Sequence, residues 1–116
     1  MMSVRIYHNP RCSKSRETLA LLEQRGLTPE IIKYLDTPPD ADQLKVLLEQ
    51  LGMRSARELM RTKEEEYRTL GLAEVTDEAE LIAAMVAHPR LIERPIVVKG
   101  ERAALGRPPE QVLDIL

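Results

Sequence analysis

The first 35 residues change from one hydrophobic period to another and back, and this change constrains the fold more than any other feature. Val4 and Ile6 alternate with polar or amphipathic neighbours, which is typical of a short β-strand. From Ser15 the pattern is helical, and Gly26 marks the end of the helix. Residues 30–35 are apolar enough to form a second strand. A strand, a helix and a strand in this order predict a βαβ unit with two parallel strands.

The rest of the chain predicts a block of helices followed by two further strands and a last helix. Residues 40–88 have helical periodicity without a strand signal, whereas residues 95–98 form a strongly apolar strand and residues 101–105 return as an antiparallel one. A last helix begins at Pro108 or Pro109. It is predicted to turn three side chains to the core: Val112, Leu113 and Leu116. We therefore expect one α/β domain over residues 1–116, with a four-stranded mixed sheet and a helical insertion at about 40–88.

Composition and charge exclude several classes of protein. The chain has no Phe, no Trp and three Tyr, so its core must be aliphatic. Seventeen basic residues against nineteen acidic ones give a net charge of −2, which does not favour nucleic-acid binding. The longest apolar run, residues 81–87, is far shorter than the roughly 20 residues of a membrane span, and residues 1–5 do not resemble a signal peptide. We expect a cytoplasmic protein with neither nucleic acid nor membrane as a partner.

Cys12 is the only cysteine, so neither an internal disulfide nor a cysteine-rich zinc site can form. No other metal-ligand spacing occurs, and no metal site is predicted. Cys12 falls between the first strand and the first helix, where free N–H groups and the helix dipole favour an anion. The nearby cations Arg11, Lys14 and Arg16 favour the thiolate further. The pattern predicts a nucleophilic cysteine with a lowered pKa; the alternative is a buried thiol in a loop whose basic side chains are solvated.

Cys12 and Ser15 have the spacing of a redox motif in which serine replaces the second cysteine. Ser15 is expected to donate a hydrogen bond to the thiolate, but it cannot form a disulfide with it. A modified Cys12 must therefore be released by a thiol from outside the chain. This predicts a small thiol or a thiol-carrying protein as co-substrate, and no bound cofactor.

Three motifs along the chain together resemble those of a known family. They are His8-Asn9-Pro10-x-Cys12-x-x-Ser15-Arg16, Arg94-Pro95-Ile96-Val97 and Gly106-Arg107-Pro108. In this order and spacing they resemble the ArsC family of glutaredoxin-dependent arsenate reductases, and in particular its shorter YfgD-like branch. The resemblance covers essentially the whole chain. Cys-x-x-Ser alone would be a weak signal, whereas the set of three is specific.

The resemblance implies a thioredoxin-like fold with a helical insertion, and an arsenate reductase that serves arsenic detoxification with glutathione and glutaredoxin as reductants. It implies a cis peptide bond before Pro95, although a trans bond is the commoner state for any X–Pro pair. The family's nucleophile corresponds to Cys12, and its thiolate-holding positions to His8 and Ser15. The positions that bind the oxyanion correspond to three arginines: Arg61, Arg94 and Arg107. Arg57 competes with Arg61 for this assignment because the local alignment permits either.

Two other functions fit the same residues. A glutathione-linked thiol oxidoreductase would use Cys12 and Ser15 without arsenic chemistry. A regulatory binding protein similar to the Spx transcription regulators would use the same fold as a scaffold. Spx proteins typically carry Cys-x-x-Cys at this site, and this chain does not.

Overall fold

The structure, a computed structural model, describes residues 3–116. These residues form two compact units. The first, the sheet unit, contains residues 3–37 and Arg94–Leu116, and the second, the helical unit, contains Pro38–Glu93. The bounds of the helical unit enclose the insertion expected at about 40–88. That the chain forms one domain stays a prediction.

The sheet unit is built on four strands and one long helix. Its elements in chain order are β1 (Val4–Tyr7), α1 (Ser13–Gln24), β2 (Glu30–Ile32), β3 (Ile96–Lys99) and β4 (Arg102–Leu105). The strand order is β2-β1-β3-β4. β1 is parallel to β2 and antiparallel to β3, and β3 is antiparallel to β4. The predicted α/β architecture with a four-stranded mixed sheet is confirmed.

Aliphatic side chains form the main core cluster of the sheet unit. Tyr7 and Tyr34 are buried in this unit as well, so the expectation of a wholly aliphatic core is wrong. The strand alternation places Val4 and Ile6 on one face, where they pack with Leu22 of α1. The other buried members of this cluster are Val97, Val112 and Ile115. This packing fixes α1 against the sheet and thereby fixes the loop that precedes α1.

The start of α1 and the end of β2 differ from those predicted. α1 begins at Ser13 rather than Ser15. β2 ends at Ile32 because the N–H groups of Asp36 and Thr37 both bond to the carbonyl of Lys33, which turns the chain.

The last helix, Pro109–Ile115, is a 3₁₀-helix rather than an α-helix. With three residues per turn, positions i and i+3 share a face. Pro109, Val112 and Ile115 are therefore the buried residues, and Leu113 and Leu116 are only half-buried.

The helical unit contains three α-helices connected by short 3₁₀ turns. The α-helices are α2 (Ala41–Leu51), α3 (Glu65–Thr69) and α4 (Glu78–Ala87). Asp40 caps α2 in a reciprocal capping box with Gln43, and Gly52 ends it in a left-handed conformation. No helix within residues 3–116 combines the length and the apolar character that crossing a membrane requires.

Candidate active site

Cys12 lies in the loop between β1 and α1, and Asn9 shapes this loop. The Asn9 N–H donates to Ser15 Oγ at 3.0 Å, and Asn9 Oδ1 accepts from the Arg11 N–H at 3.0 Å. The Asn9 carbonyl accepts from the Cys12 N–H at 3.0 Å. These three polar groups of Asn9 thus hold the loop in one conformation, with Cys12 as the residue that precedes the first turn of α1. Asparagine is typical of such side-chain-closed turns.

The environment of Cys12 favours the thiolate. The residue is 8% exposed, and burial raises the pKa of its thiol. The Ser15 N–H, the Arg94 charge, the Lys14 N–H and the Arg107 charge lower it, and together they outweigh burial. The first turn of α1 contains no acidic residue to oppose them. The pKa of Cys12 therefore lies below its ordinary value, through helix N–H groups and guanidinium charges.

Two arginines from distant parts of the chain converge on the sulfur. Arg107 Nη2 lies 3.7 Å from Cys12 Sγ, although 95 positions separate the two residues. Arg107 Nε donates to the Arg94 carbonyl at 2.7 Å, which ties the two arginines together. Arg94 precedes β3 and Arg107 follows β4, so the β3–β4 hairpin delivers both. The peptide bonds before Pro95 and Pro108 are both cis, the first of them as the resemblance implies.

His8 and Ser15 form a buried pair next to Cys12 in the chain. Ser15 Oγ and His8 Nδ1 are 2.7 Å apart, and Ser15 Oγ also accepts from the Asn9 N–H. The Ser15 hydroxyl thus bonds to His8 and Asn9, and a further bond from it to the thiolate stays a prediction. It is the backbone N–H of Ser15 that stabilises the sulfur.

Of the three nearby cations predicted to favour the thiolate, Lys14 and Arg16 have other partners. Lys14 Nζ pairs with Glu17 at 3.7 Å. Arg16 Nη1 donates to the Pro10 carbonyl at 3.0 Å. The pKa of His8 is lowered first by burial, then by the charges of Lys33 and Arg16, which favours the uncharged imidazole. The side-chain charges that lower the pKa of Cys12 are those of Arg94 and Arg107.

Arg57 and Arg61, the competing candidates for a third oxyanion ligand, both belong to the helical unit and differ in their contacts. The Arg57 guanidinium donates to the Tyr67 hydroxyl and to the carbonyls of Leu72 (3.0 Å) and Val75. These bonds make Arg57 a structural residue of the helical unit. Arg61 Nη1 forms an ion pair with Glu64 at 3.1 Å. The role of Arg61 in binding an anion stays a prediction.

Chemically, the sheet unit presents one thiol of lowered pKa beside two guanidinium groups and the N–H groups of a helix. Arginine and helix N–H groups are the donors that bind oxyanions. Within residues 3–116, no three His, Cys, Asp or Glu side chains are grouped so that they could hold a metal ion. The arrangement can bind an anion and attack it with a thiolate.

The pH dependence of thiol alkylation tests the state of Cys12. Because the folded pKa lies below the ordinary thiol value, iodoacetamide should react in a range where an unfolded cysteine is protonated. The rate should fall as the pH drops through the folded pKa. The urea-unfolded protein is the matched reference, since it has the same single cysteine. Identical midpoints for the folded and unfolded protein would contradict the assignment.

Comparisons with known proteins agree with this geometry. The model of the ArsC family matches residues 7–115. The chain is 60% identical over 114 residues to the uncharacterized protein YfgD of Escherichia coli K12, covering 97% of this chain and 96% of the relative. It is 52% identical over 116 residues to an arsenate reductase of Haemophilus influenzae, covering 99% of this chain and 100% of that relative.

Among solved structures, an arsenate reductase from Vibrio cholerae superimposes with a TM-score of 0.96 at 59% identity, covering 99% of this chain and 98% of the other. The sheet order and this similarity identify the fold as thioredoxin-like. The match to the family model and the full-length relatives lead to one conclusion: this chain belongs to the ArsC family.

Proposed function

We propose that this protein reduces arsenate to arsenite, with Cys12 as the nucleophile and with glutathione and glutaredoxin as the external reductants. The observation that carries the proposal is the 3.7 Å approach of Arg107 Nη2 to Cys12 Sγ, with Arg94 tied to the same guanidinium. The names of the relatives from Haemophilus influenzae and Vibrio cholerae support arsenate as the substrate.

Charge is the main obstacle to the first step. Arsenate is a tetrahedral oxyanion that carries one to two negative charges near neutral pH, and a thiolate repels it. Arg94 and Arg107 offset this repulsion because their positive charges lie beside the sulfur, next to the place where the oxyanion must bind. The N–H groups of Lys14 and Ser15 stabilise the thiolate before it attacks. The family resemblance adds Arg61 as a third ligand.

The chemical steps follow from one nucleophilic sulfur. Cys12 Sγ attacks arsenic, an S–As bond forms, and one oxygen of arsenate leaves as water after protonation. The thiolate of glutathione then attacks Cys12 Sγ, and the electron pair of the S–As bond stays on arsenic. Arsenic is thereby reduced by two electrons and leaves as arsenite, while Cys12 and glutathione form a mixed disulfide.

A second thiol must then regenerate Cys12, because the chain has no other cysteine. A glutaredoxin thiolate attacks the glutathione sulfur of the mixed disulfide and releases the Cys12 thiolate. Ser15 cannot take this role, since a hydroxyl does not form a disulfide. Because the proposed reaction needs reduced glutathione, we propose that it takes place in the cytoplasm, where the glutathione pool is kept reduced.

Arsenite formation by the full chain, with glutathione, glutaredoxin and arsenate supplied together, tests the proposal. We expect turnover that requires all three. No arsenite under these conditions, with a thiol that still alkylates, would defeat the proposal. Release of glutathione from a glutathionylated peptide without any use of arsenate would instead favour a thiol oxidoreductase.

A further inference from the structure

Gly106 lies in the sheet unit where the ends of β3 and β4 meet α1. It directly precedes Arg107, and its N–H donates to the carbonyl of Pro95 at 3.0 Å. The residues on either side of this bond are the two arginines of the candidate site, since Arg94 precedes Pro95 and Arg107 follows Gly106. The position of Gly106 therefore determines the position of the Arg107 backbone, from which the guanidinium extends into the site.

The space around Gly106 does not admit a side chain. A Cβ at this position would overlap Thr18 Oγ1 and would lie 2.7 Å from Pro95 Cγ and 3.1 Å from Thr18 Cγ2. Atoms at these distances must move apart. Glycine is thus needed here for a close approach of two segments and not for an unusual backbone angle.

Thr18 cannot easily yield to such a side chain. It is fully buried on α1, and its Oγ1 donates to the Lys14 carbonyl at 2.8 Å. A β-branched side chain that is both buried and hydrogen-bonded has few other rotamers. Lys14 is itself part of the first turn of α1, whose N–H groups stabilise the Cys12 thiolate. Thr18 therefore connects the position of Gly106 to the helix end that faces the sulfur.

We propose that Gly106 and Thr18 are positioning residues of this active site, which together set the distance between Arg107 and Cys12. The absence of a side chain at Gly106 lets the end of β4 rest on Thr18, and Arg107 Nη2 then reaches the sulfur at 3.7 Å. Both residues act through Arg107 and the first turn of α1. Their effect on arsenate reduction rests on the proposed function, whereas their effect on the thiol does not.

Gly106→Ala is expected to displace the end of β4 from α1 and to move Arg107 away from Cys12. With the guanidinium charge withdrawn, the thiol pKa should rise. A rise of one unit lowers the rate of alkylation by iodoacetamide about tenfold at a pH below both pKa values. A displacement of the order of 1 Å should lower kcat/KM for arsenate about a hundredfold.

The experiment compares Gly106→Ala, Thr18→Ala and the double variant by thiol pKa, arsenate kinetics and thermal unfolding. Thr18→Ala removes both Thr18 atoms that a new side chain would meet but leaves Pro95 Cγ 2.7 Å from the added carbon, so the double variant should recover part of the thiol reactivity that Gly106→Ala loses. Gly26→Ala is the control for lost stability. Gly26 has φ +77° and no atom near the added carbon, so this variant should unfold at a lower temperature while its thiol pKa stays unchanged.

A Gly106→Ala protein with the wild-type thiol pKa would overturn the inference, and so would a double variant that merely adds the two single effects. If Gly106→Ala does not fold, the double variant decides. A double variant that folds with a thiol pKa below that of the urea-unfolded protein supports the inference. One that still does not fold, or whose thiol pKa matches that of the urea-unfolded protein, contradicts it, because relief of the Thr18 contact would then restore nothing. Because the thiol pKa is measured without arsenate, a wild-type protein that fails to reduce arsenate would defeat the proposed function alone.

Discussion

Cys12→Ser should abolish arsenate reduction, with a loss of at least about 10⁴-fold in kcat. A serine hydroxyl is not ionised near neutral pH and cannot form the S–As bond or the mixed disulfide. The chain has no other sulfhydryl group that could replace it. Arsenite production with glutathione and glutaredoxin in excess is the measurement.

The fold should survive Cys12→Ser, because the substitution keeps the shape of a small side chain in a loop. We expect unfolding free energies within about 1 kcal/mol of the wild type at acidic pH. As the pH rises through the folded pKa of Cys12, only the folded wild type loses this proton, so the wild type should gain stability over the variant. This gain should stop above the unfolded thiol pKa. Residual turnover by Cys12→Ser, or a stability difference that shrinks with rising pH, would contradict the assignment.

Arg107→Ala should have the second-largest effect, since Arg107 contacts the sulfur and, in the proposed function, also binds the oxyanion. Removal of one donor that stabilises developing negative charge costs about 10²–10³-fold in rate. We expect a loss of this size in kcat/KM for arsenate and a smaller one in alkylation by iodoacetamide, which is neutral. Equal losses in the two reactions would mean that Arg107 acts only on the thiol.

Arg107→Lys is the matched control. Lysine keeps the charge, but it cannot donate to the Arg94 carbonyl and extend to the sulfur with a planar fork, as Arg107 does through Nε and Nη2. Its arsenate kinetics should therefore lie between those of the wild type and Arg107→Ala. Full wild-type activity with lysine would show that charge alone is sufficient.

Local periodicity predicted the architecture because the strands and helices here are short and strongly patterned. The alternation of Val4 and Ile6 predicted β1, and the run of residues 95–98 predicted β3. The C-terminal helix was predicted at the correct place in the chain but with the period of an α-helix. Leu113 and Leu116 were therefore predicted to face the core, whereas Ile115 is the residue that is buried there. A 3₁₀-helix and an α-helix of seven residues cannot be distinguished by pattern alone.

The candidate site was predictable only where the chemistry is local. The helix N-terminus at Cys12 follows from the pattern, and so does its effect on the thiol. The 95-position contact with Arg107 does not, and it was expected only because the motifs resembled a family. The hydrogen-bond and packing partners of individual side chains were harder still to predict from the sequence. The Ser15 hydroxyl bonds to His8, the residue that follows β1, and this pairing forms only when the chain folds. The tight fit of Gly106 against Thr18 has no sequence signal at all.

Intact-mass spectrometry of the protein after incubation with arsenate and glutathione, without glutaredoxin, tests the central claim most directly. If the Cys12 thiolate attacks a bound oxyanion and is released only by external thiols, the protein should accumulate one glutathione adduct on Cys12. One arsenite should form for each adduct, and phosphate in place of arsenate should give neither. Arsenite formed without the adduct, or an adduct that forms equally with phosphate, would contradict it.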